Sequence, residues 1–134
     1  MDSLIIEATE DSPKILFDTA SNRFTISGES RPENAGKFYT PVINWIVKFE
    51  ETTLAVQKSE NKEGSPLAFV FKLDYFNSTS AKYIMDILLI LKKFSDQGYK
   101  INVEWHYDKR DDDMLDAGNE FSDTVDLKFD FIEY

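Results

Sequence analysis

The sequence has no cysteine, a single histidine and only five glycines among its 134 residues. The absence of cysteine excludes disulfides, thiolate nucleophiles and cysteine-based metal sites. One histidine cannot build a histidine-rich metal site, and glycines this scattered form no phosphate-binding loop. The sequence therefore predicts no bound metal and no cofactor, and it offers no recognisable set of catalytic residues.

Basic residues are also scarce, because 15 lysines and arginines face 25 aspartates and glutamates, for a formal net charge of -10. Nucleic acids require a basic surface, so this balance argues against binding to them, and it also disfavours anionic membranes. The longest apolar run, Ile87 to Leu91, is too short to span a bilayer. The first residues lack the pattern of a signal peptide, which favours a cytoplasmic location.

The composition is that of a globular protein, with 42% hydrophobic and 30% charged residues. A chain of this length forms one domain with an ordinary core, so we predict a single domain over residues 1–134. The first residues are mostly polar, and we expect residues 1–12 to be flexible. Protein partners, cationic ligands and small-molecule chemistry remain open at this point.

Hydrophobic periodicity predicts both strands and helices. Apolar residues that alternate along the chain predict strands at 15–17, 23–27, 67–75, 101–107 and 127–131. Apolar residues three or four positions apart predict a first helix around Trp45, a second that ends before Gly98, and a short third between Asp111 and Thr124. The order of elements is β-β-α-β-α-β-α-β.

This order predicts an α/β fold with a mixed sheet. Two short strands joined by a short loop form a hairpin, whereas strands separated by helices run parallel with right-handed crossovers. The last two strands alternate apolar with polar residues, which indicates that one face of the sheet is exposed. We therefore expect all the helices on one face.

The start of the first helix has two interpretations because of Pro41. Either Asn34 caps a helix that continues through the proline, or Thr40 caps a shorter helix with Pro41 at its first position. Phe38 already belongs to the apolar face of the helix, so we favour the longer version.

The most informative stretch is the junction between the strand at 67–75 and the helix that follows it. Three hydroxyls, those of Ser78, Thr79 and Ser80, stand where the helix begins, directly after Asn77. A helix N-terminus carries unpaired N–H groups and partial positive charge, and it stabilises an anion such as a covalently attached phosphate. Asn, Ser and Thr are also the ordinary capping residues, and on spacing alone capping is the favoured role.

The same helix carries a polar stripe that contains one apolar residue. Lys82, Asp86, Leu89 and Lys93 follow each other at helical spacing. Lys82 and Asp86 are placed to form an exposed ion pair, which contributes little stability. Leu89 beside a group of modifiable hydroxyls is a candidate element of a partner surface.

Two other features suggest chemistry less strongly. His106 lies at a polar position of its strand with no nucleophile at a recognisable spacing, so we interpret it as an exposed strand histidine. The Asp-rich loop at 108–116 lacks the pattern of an EF-hand and is typical of helix capping. A small acidic ligand-binding or divalent-metal-binding domain, or an enzyme that uses this loop, remains the alternative function.

Several segments together resemble the SiaC-type bacterial regulatory phosphoproteins. They are Ser30 to Asn34, Trp45 in the first helix, Leu73 to Lys82, and Trp105 to Asp108. The family's architecture is similar to that of STAS-domain anti-sigma factor antagonists, which carry a phosphorylatable Ser or Thr at the start of a helix after a strand.

The resemblance implies a non-enzymatic switch. A kinase phosphorylates the protein, a PP2C-type phosphatase reverses this, and the unmodified form binds a partner, which in the best-known member of the family is a diguanylate cyclase in c-di-GMP signalling. The family's phosphorylated residue corresponds to Ser78, with Thr79 as the alternate. The partner-binding residues are then expected to be Asn77, Ser78, Thr79, Ser80, Lys82, Asp86 and Leu89.

Overall fold

Six strands form one sheet whose spatial order follows chain order. The computed structural model describes residues 1–62 and 64–134. The strands are β1 (Leu4–Ile6), β2 (Lys14–Asp18), β3 (Arg23–Ser30), β4 (Leu67–Phe76), β5 (Ile101–Tyr107) and β6 (Phe129–Glu133). β1, β2 and β3 are antiparallel, whereas β3 to β6 are parallel. The predicted mixed sheet is confirmed.

A helix lies in each connection between parallel strands. The helices are α1 (Ala35–Phe49), a π-helical turn (Glu50–Leu54), α2 (Ala55–Ser59), α3 (Ser78–Asp96) and α4 (Asp112–Val125). α3 packs against both α1 and α4, so these three helices form one layer. Crossovers of one handedness that proceed in one direction across a sheet place their helices on the same face. The predicted one-sided helical layer is confirmed.

The core lies between this layer and the inner face of the sheet. The inner side chains of the strands are mainly aromatic and β-branched, and Trp105 is fully buried among them. The largest fully buried side chains are those of Trp105, Tyr39, Phe17, Phe24, Phe69, Phe71, Ile15, Ile26, Ile46, Leu73, Ile84 and Ile87. Among the described residues no helix is long and apolar enough to cross a membrane.

The N-terminal segment corrects one expectation. We expect residues 1–12 to be flexible, but Leu4–Ile6 forms the edge strand β1 and pairs with β2. Leu4 and Ile6 pack against the core, while Ile5 points outward and is 59% exposed. A three-residue strand is too short for its alternation to be recognised, and pairing with β2 is what orders it.

A bulge in β4 corrects a second expectation, which concerns the direction in which Tyr75 points. Leu73 pairs with Gly28 and Tyr75 pairs with Glu29, so Asp74 is an extra residue in β4. An extra residue reverses the facing of all later side chains in the strand. Tyr75, predicted to continue the buried face, is therefore 50% exposed, whereas Phe76 turns inward to contact Trp105.

The helix boundaries agree with the predicted caps. Asn34 caps α1 by accepting a hydrogen bond from the Lys37 amide at 3.0 Å, and α1 continues through Pro41 as favoured. Gly98, with φ of 96°, follows the end of α3 as the predicted stop. The continuation of α1 into a π-helical turn and α2 was not predicted, and β6 begins at Phe129 rather than at residue 127.

Candidate functional site

The N-terminus of α3 is held by Asn77. Its Oδ1 accepts a hydrogen bond from the Ser80 amide at 2.9 Å, and its own amide donates to the Ser30 carbonyl at 3.0 Å. The first bond is the capping interaction of a helix, and the second ties the cap to the end of β3. Ser78 is consequently the first residue of α3 and not its cap.

The hydroxyls of Ser78 and Thr79 are free. Both residues are exposed, and within residues 1–62 and 64–134 neither hydroxyl makes a hydrogen bond. Ser78 shares a stripe of α3 with Met85 on the side towards α4, whereas Thr79 shares one with Tyr83 on the side towards α1. Either hydroxyl is accessible to an enzyme and close to the positive end of the helix.

Ser80 has a different role from the one expected. It is fully buried, so the expectation that it contacts a partner is wrong for this structure. Ser30 Oγ donates to Ser80 Oγ at 2.8 Å and lies 2.6 Å from the Tyr39 hydroxyl. The pKa of Tyr39 is raised, mainly because burial disfavours the charged form. This hydroxyl chain joins α3 to β3 and to α1.

Sequence reasoning missed Ser30 and Tyr39, although both support the N-terminus of α3. The alternation along β3 could have revealed Ser30, because its side chain points to the same side of the sheet as those of the buried residues Phe24 and Ile26. A polar residue at a buried facing requires a hydrogen-bond partner nearby. Tyr39 supplies that partner from the first turns of α1.

The rest of the predicted stripe lies on the outer surface of α3. Lys82 Nζ is 3.0 Å from Asp86 Oδ2, and this hydrogen bond raises the pKa of Lys82. The Lys82 ammonium also lies 4.4 Å from the ring centre of Tyr83. Leu89 is 49% exposed on the same face. The structure therefore brings Ser78, Lys82, Asp86 and Leu89 together on one accessible surface.

His106 is less exposed than predicted, with only 16% of its side chain accessible. Its Nε2 lies 2.9 Å from Glu104 Oε1, and Arg23 donates two hydrogen bonds to the same carboxylate at 2.9 and 3.0 Å. The hydrogen bond from Arg23 lowers the pKa of Glu104. His106 thus belongs to a charged cluster on the sheet, and the interpretation of an exposed histidine is wrong.

The acids of the Asp-rich loop have structural roles. Arg110 binds Asp108 through its side chain and lowers the pKa of that carboxyl to about 2. Asp111 caps α4 by accepting from the Met114 amide at 3.0 Å, and the next two aspartates lie in the first turn of α4. No group of three or more potential ligands suited to a metal ion exists in the described residues. The geometry gives the metal-binding alternative no support.

Comparison with known proteins decides the family. Residues 6–134, nearly the whole chain, match the sequence profile of the SiaC family regulatory phosphoproteins. The chain belongs to the SiaC family. An uncharacterised protein of Pseudomonas aeruginosa (strain UCBPP-PA14) is 32% identical over 129 residues, covering 96% of this chain and 94% of that protein.

Solved structures of SiaC family members share the whole fold. Apo-SiaC from P. aeruginosa superposes with a TM-score of 0.81 at 30% identity and covers 99% of this chain and 98% of that chain. SiaC in complex with the diguanylate cyclase SiaD, of which SiaC is the activator, gives a TM-score of 0.85 at 28% identity and covers 98% and 99%. The structural similarity therefore extends over nearly the full length of both chains.

Proposed function

We propose that this SiaC family member is a non-enzymatic cytoplasmic signalling protein that binds and regulates a protein partner in its unphosphorylated form. Reversible phosphorylation of Ser78 releases the partner. A cognate kinase adds the phosphate and a PP2C-type phosphatase removes it. A diguanylate cyclase is the partner proposed, because the related SiaC is the activator of the cyclase SiaD.

The observation that carries this proposal is the separation of roles between Asn77 and Ser78. Asn77 caps α3, so the helix does not need the Ser78 hydroxyl for its own stability. That hydroxyl is exposed and unbonded among the described residues, at the positive end of a helix that extends from Ser78 to Asp96. A residue in this position accepts a phosphate without disturbing the fold.

The charges around Ser78 indicate how phosphate acts. A phosphoserine adds about -1.5 to -2 charges and strong acceptor oxygens. Lys82 lies one turn further along α3, so a phosphate on Ser78 competes with Asp86 for its ammonium group. The modification therefore changes both the local charge and the ion pair on the surface that we assign to the partner.

Partner release follows from desolvation. A partner that lays an apolar or acidic surface over Ser78, Lys82 and Leu89 would have to bury the phosphate or face it with like charge. That penalty is a few kcal/mol, which corresponds to about a hundredfold in affinity. The protein's own fold bears no such penalty, because α3 presents its N-terminal amides to the same group.

The test is affinity purification of the tagged protein from its native host, with mass spectrometry of both the phosphosite and the bound partners. We expect phosphate on Ser78 and a partner that binds only the unmodified fraction. The Ser78→Ala variant should retain the partner and carry no phosphate, with Thr79→Ala as the matched control. Phosphate found on Thr79 alone, or on neither residue, would contradict the Ser78 assignment.

A further inference from the structure

An apolar groove lies between α3 and α4. Its walls come from Ala81 and Met85 of α3 and from Ala117 and Phe121 of α4, with Phe76 beside them. The cavity volume is about 210 Å³, which accommodates one bulky side chain. Binding sites for small-molecule cofactors begin at about 300 Å³, so the groove suits an anchoring side chain of another protein better than a cofactor.

Small residues create this groove. Ala81 and Ala117 carry side chains that are too short to fill the space between two packed helices. Gly118 allows α4 to lie directly on the Trp105 ring, since a Cβ at that position would come within 2.5 Å of the indole. Close contact of α4 with the sheet therefore leaves the gap on the outer side, between the two helices.

The rim of the groove on α4 carries an acidic stripe without a basic partner. Glu120 and Thr124 line the groove, and Asp116 and Asp123 share the helical stripe of Glu120, one turn away on either side. The three carboxylates are exposed, α4 contains no lysine or arginine, and no basic group in the described residues lies within 4.0 Å of them. Asp116 and Glu120 are like charges one turn apart, and Asp123 in the last turn opposes the helix dipole. These three acidic residues are therefore not explained by a contribution to the stability of α4.

Two of the lysines on α3 are held by carboxylates outside this rim. Lys82 is engaged by Asp86, and Lys92 Nζ lies 3.2 Å from Asp96. Lys92 also lies 3.9 Å from Asp126, beyond the end of α4. The groove is consequently a mainly apolar slot beside a negatively charged stripe of α4, and an occupant with matching positive charge is favoured.

We infer that this groove is the docking site for a basic amphipathic helix of a protein partner. One apolar side chain of that helix enters the space between Ala81 and Ala117, and its lysines or arginines lie along Asp116, Glu120 and Asp123. Docking of an amphipathic helix into an apolar groove is a recurring mode of recognition between proteins. The charge complementarity steers the approach and sets the orientation of the helix.

This inference goes beyond the phosphorylation switch and stands without it. Ser78 lies at the edge of the outer face of α3 and shares a helical stripe with Met85, which lines the groove, so a phosphate there adds negative charge near the groove. A basic helix in the groove is therefore retained or bound more tightly on phosphorylation. The partner proposed for the outer face of α3 is expelled by the same phosphate, so the two binding events respond with opposite signs.

The experiment uses the full chain and a model peptide. The probe is an amidated helical peptide with leucines at the a and d heptad positions and lysines elsewhere, and its counterpart carries glutamates in place of the lysines. Calorimetry should detect binding of the lysine peptide only. Amide shifts in a ¹⁵N NMR spectrum should concentrate at Ala81, Met85, Ala117 and Phe121. Shifts confined to α1 or to the exposed sheet face would overturn the assignment.

Three variants separate the groove from a general effect of acidity. Glu120→Gln combined with Asp116→Asn should weaken the lysine peptide at least tenfold, whereas Glu7→Gln with Glu10→Gln removes the same charge elsewhere and should change it little. Ala117→Leu fills the groove without a charge change and should also weaken binding about tenfold. Equal losses in the two charge variants, or no loss in Ala117→Leu, would refute the groove as the site. A dimer that Ala117→Leu abolishes would show that the occupant is a second copy of this chain.

Discussion

The Oδ1 atom of Asn77 accepts a hydrogen bond from the backbone amide of Ser80 at 2.9 Å, across the first turn of α3. This bond assigns the capping role to the residue that precedes Ser78. The hydroxyl of Ser78 is thereby left for another purpose, and the side chain of Ser80 is directed into the core. The physical basis of the proposed switch is contained in the four consecutive residues from Asn77 to Ser80.

Removal of the cap and removal of the proposed phosphoacceptor should have different effects on stability. Asn77→Ala should lower the free energy of unfolding by about 1 kcal/mol, because the Ser80 amide loses its acceptor. Ser78→Ala should change it by less than about 0.5 kcal/mol, as is usual at exposed positions. Urea denaturation of both variants checks this. A loss in Ser78→Ala as large as that in Asn77→Ala would show that Ser78 has a capping role after all.

A carboxylate at residue 78 should reproduce part of the effect of phosphate on the partner. We expect Ser78→Asp to bind the partner less tightly, by up to about a hundredfold. The complex would have to bury the new carboxylate away from water or place it next to a like charge of the partner. Ser78→Ala should bind as tightly as the wild type and resist the kinase. Calorimetric titration of the partner measures both, with Thr79→Asp as the matched control. Wild-type affinity in Ser78→Asp would contradict the proposal.

Gly118 should not tolerate even one added methyl group. A Cβ there would lie 2.5 Å from Trp105 Cδ1 and Nε1, and the indole is fully buried and donates to the Met114 carbonyl at 2.9 Å. Gly118→Ala should therefore destabilise the protein by about 1–3 kcal/mol despite the higher helix propensity of alanine. The neighbouring exposed residue gives a control, since Asn119→Ala should be close to neutral. Thermal unfolding of the two variants decides between strain and propensity.

Tyr39 should make the fold sensitive to alkaline pH. Because burial raises its pKa above 10.0, the folded protein holds this proton more tightly than the unfolded chain does. Its contribution to stability is fully present below pH 10.0 and is lost as the pH rises through the higher pKa of the folded state. Tyr39→Phe should lower stability by about 1 kcal/mol at neutral pH through the lost hydrogen bond.

The pH profile of that variant provides the decisive comparison. Above pH 10.0 the unfolding free energy of Tyr39→Phe should fall less steeply than that of the wild type. Identical slopes for the wild type and Tyr39→Phe would show that Tyr39 does not couple folding to pH.

Much of the fold could be predicted because its signals lie within a few residues of each other. The alternation in Ile101–Tyr107 predicts a strand with one polar face, and Asn34 and Gly98 mark a helix start and a helix end through their own backbone preferences. The run of hydroxyl residues at the start of α3 is an equally local signal. Helical spacing also placed Lys82, Asp86 and Leu89 on one exposed face, as the structure has them.

Other features depended on pairing between distant segments. The strand at Leu4–Ile6 exists only because β2 offers it hydrogen bonds, and its three residues carry too little pattern to predict it. The bulge at Asp74 follows from the pairing of β4 with β3, and it exchanges the faces of Tyr75 and Phe76. Periodicity within one strand cannot reveal a register change that the neighbouring strand determines.

The sequence by itself determined the class of fold, the order of the main elements and the position of the helix N-terminus that we propose as the phosphorylation site, because periodicity and capping act over single turns and single strands. The tertiary structure decided which hydroxyl of Ser78, Thr79 and Ser80 is accessible. Ser80 is buried because Ser30 and Tyr39, about 40 to 50 residues away in the chain, converge on it. Burial depends on such long-range packing, and no local pattern around residue 80 contains that information.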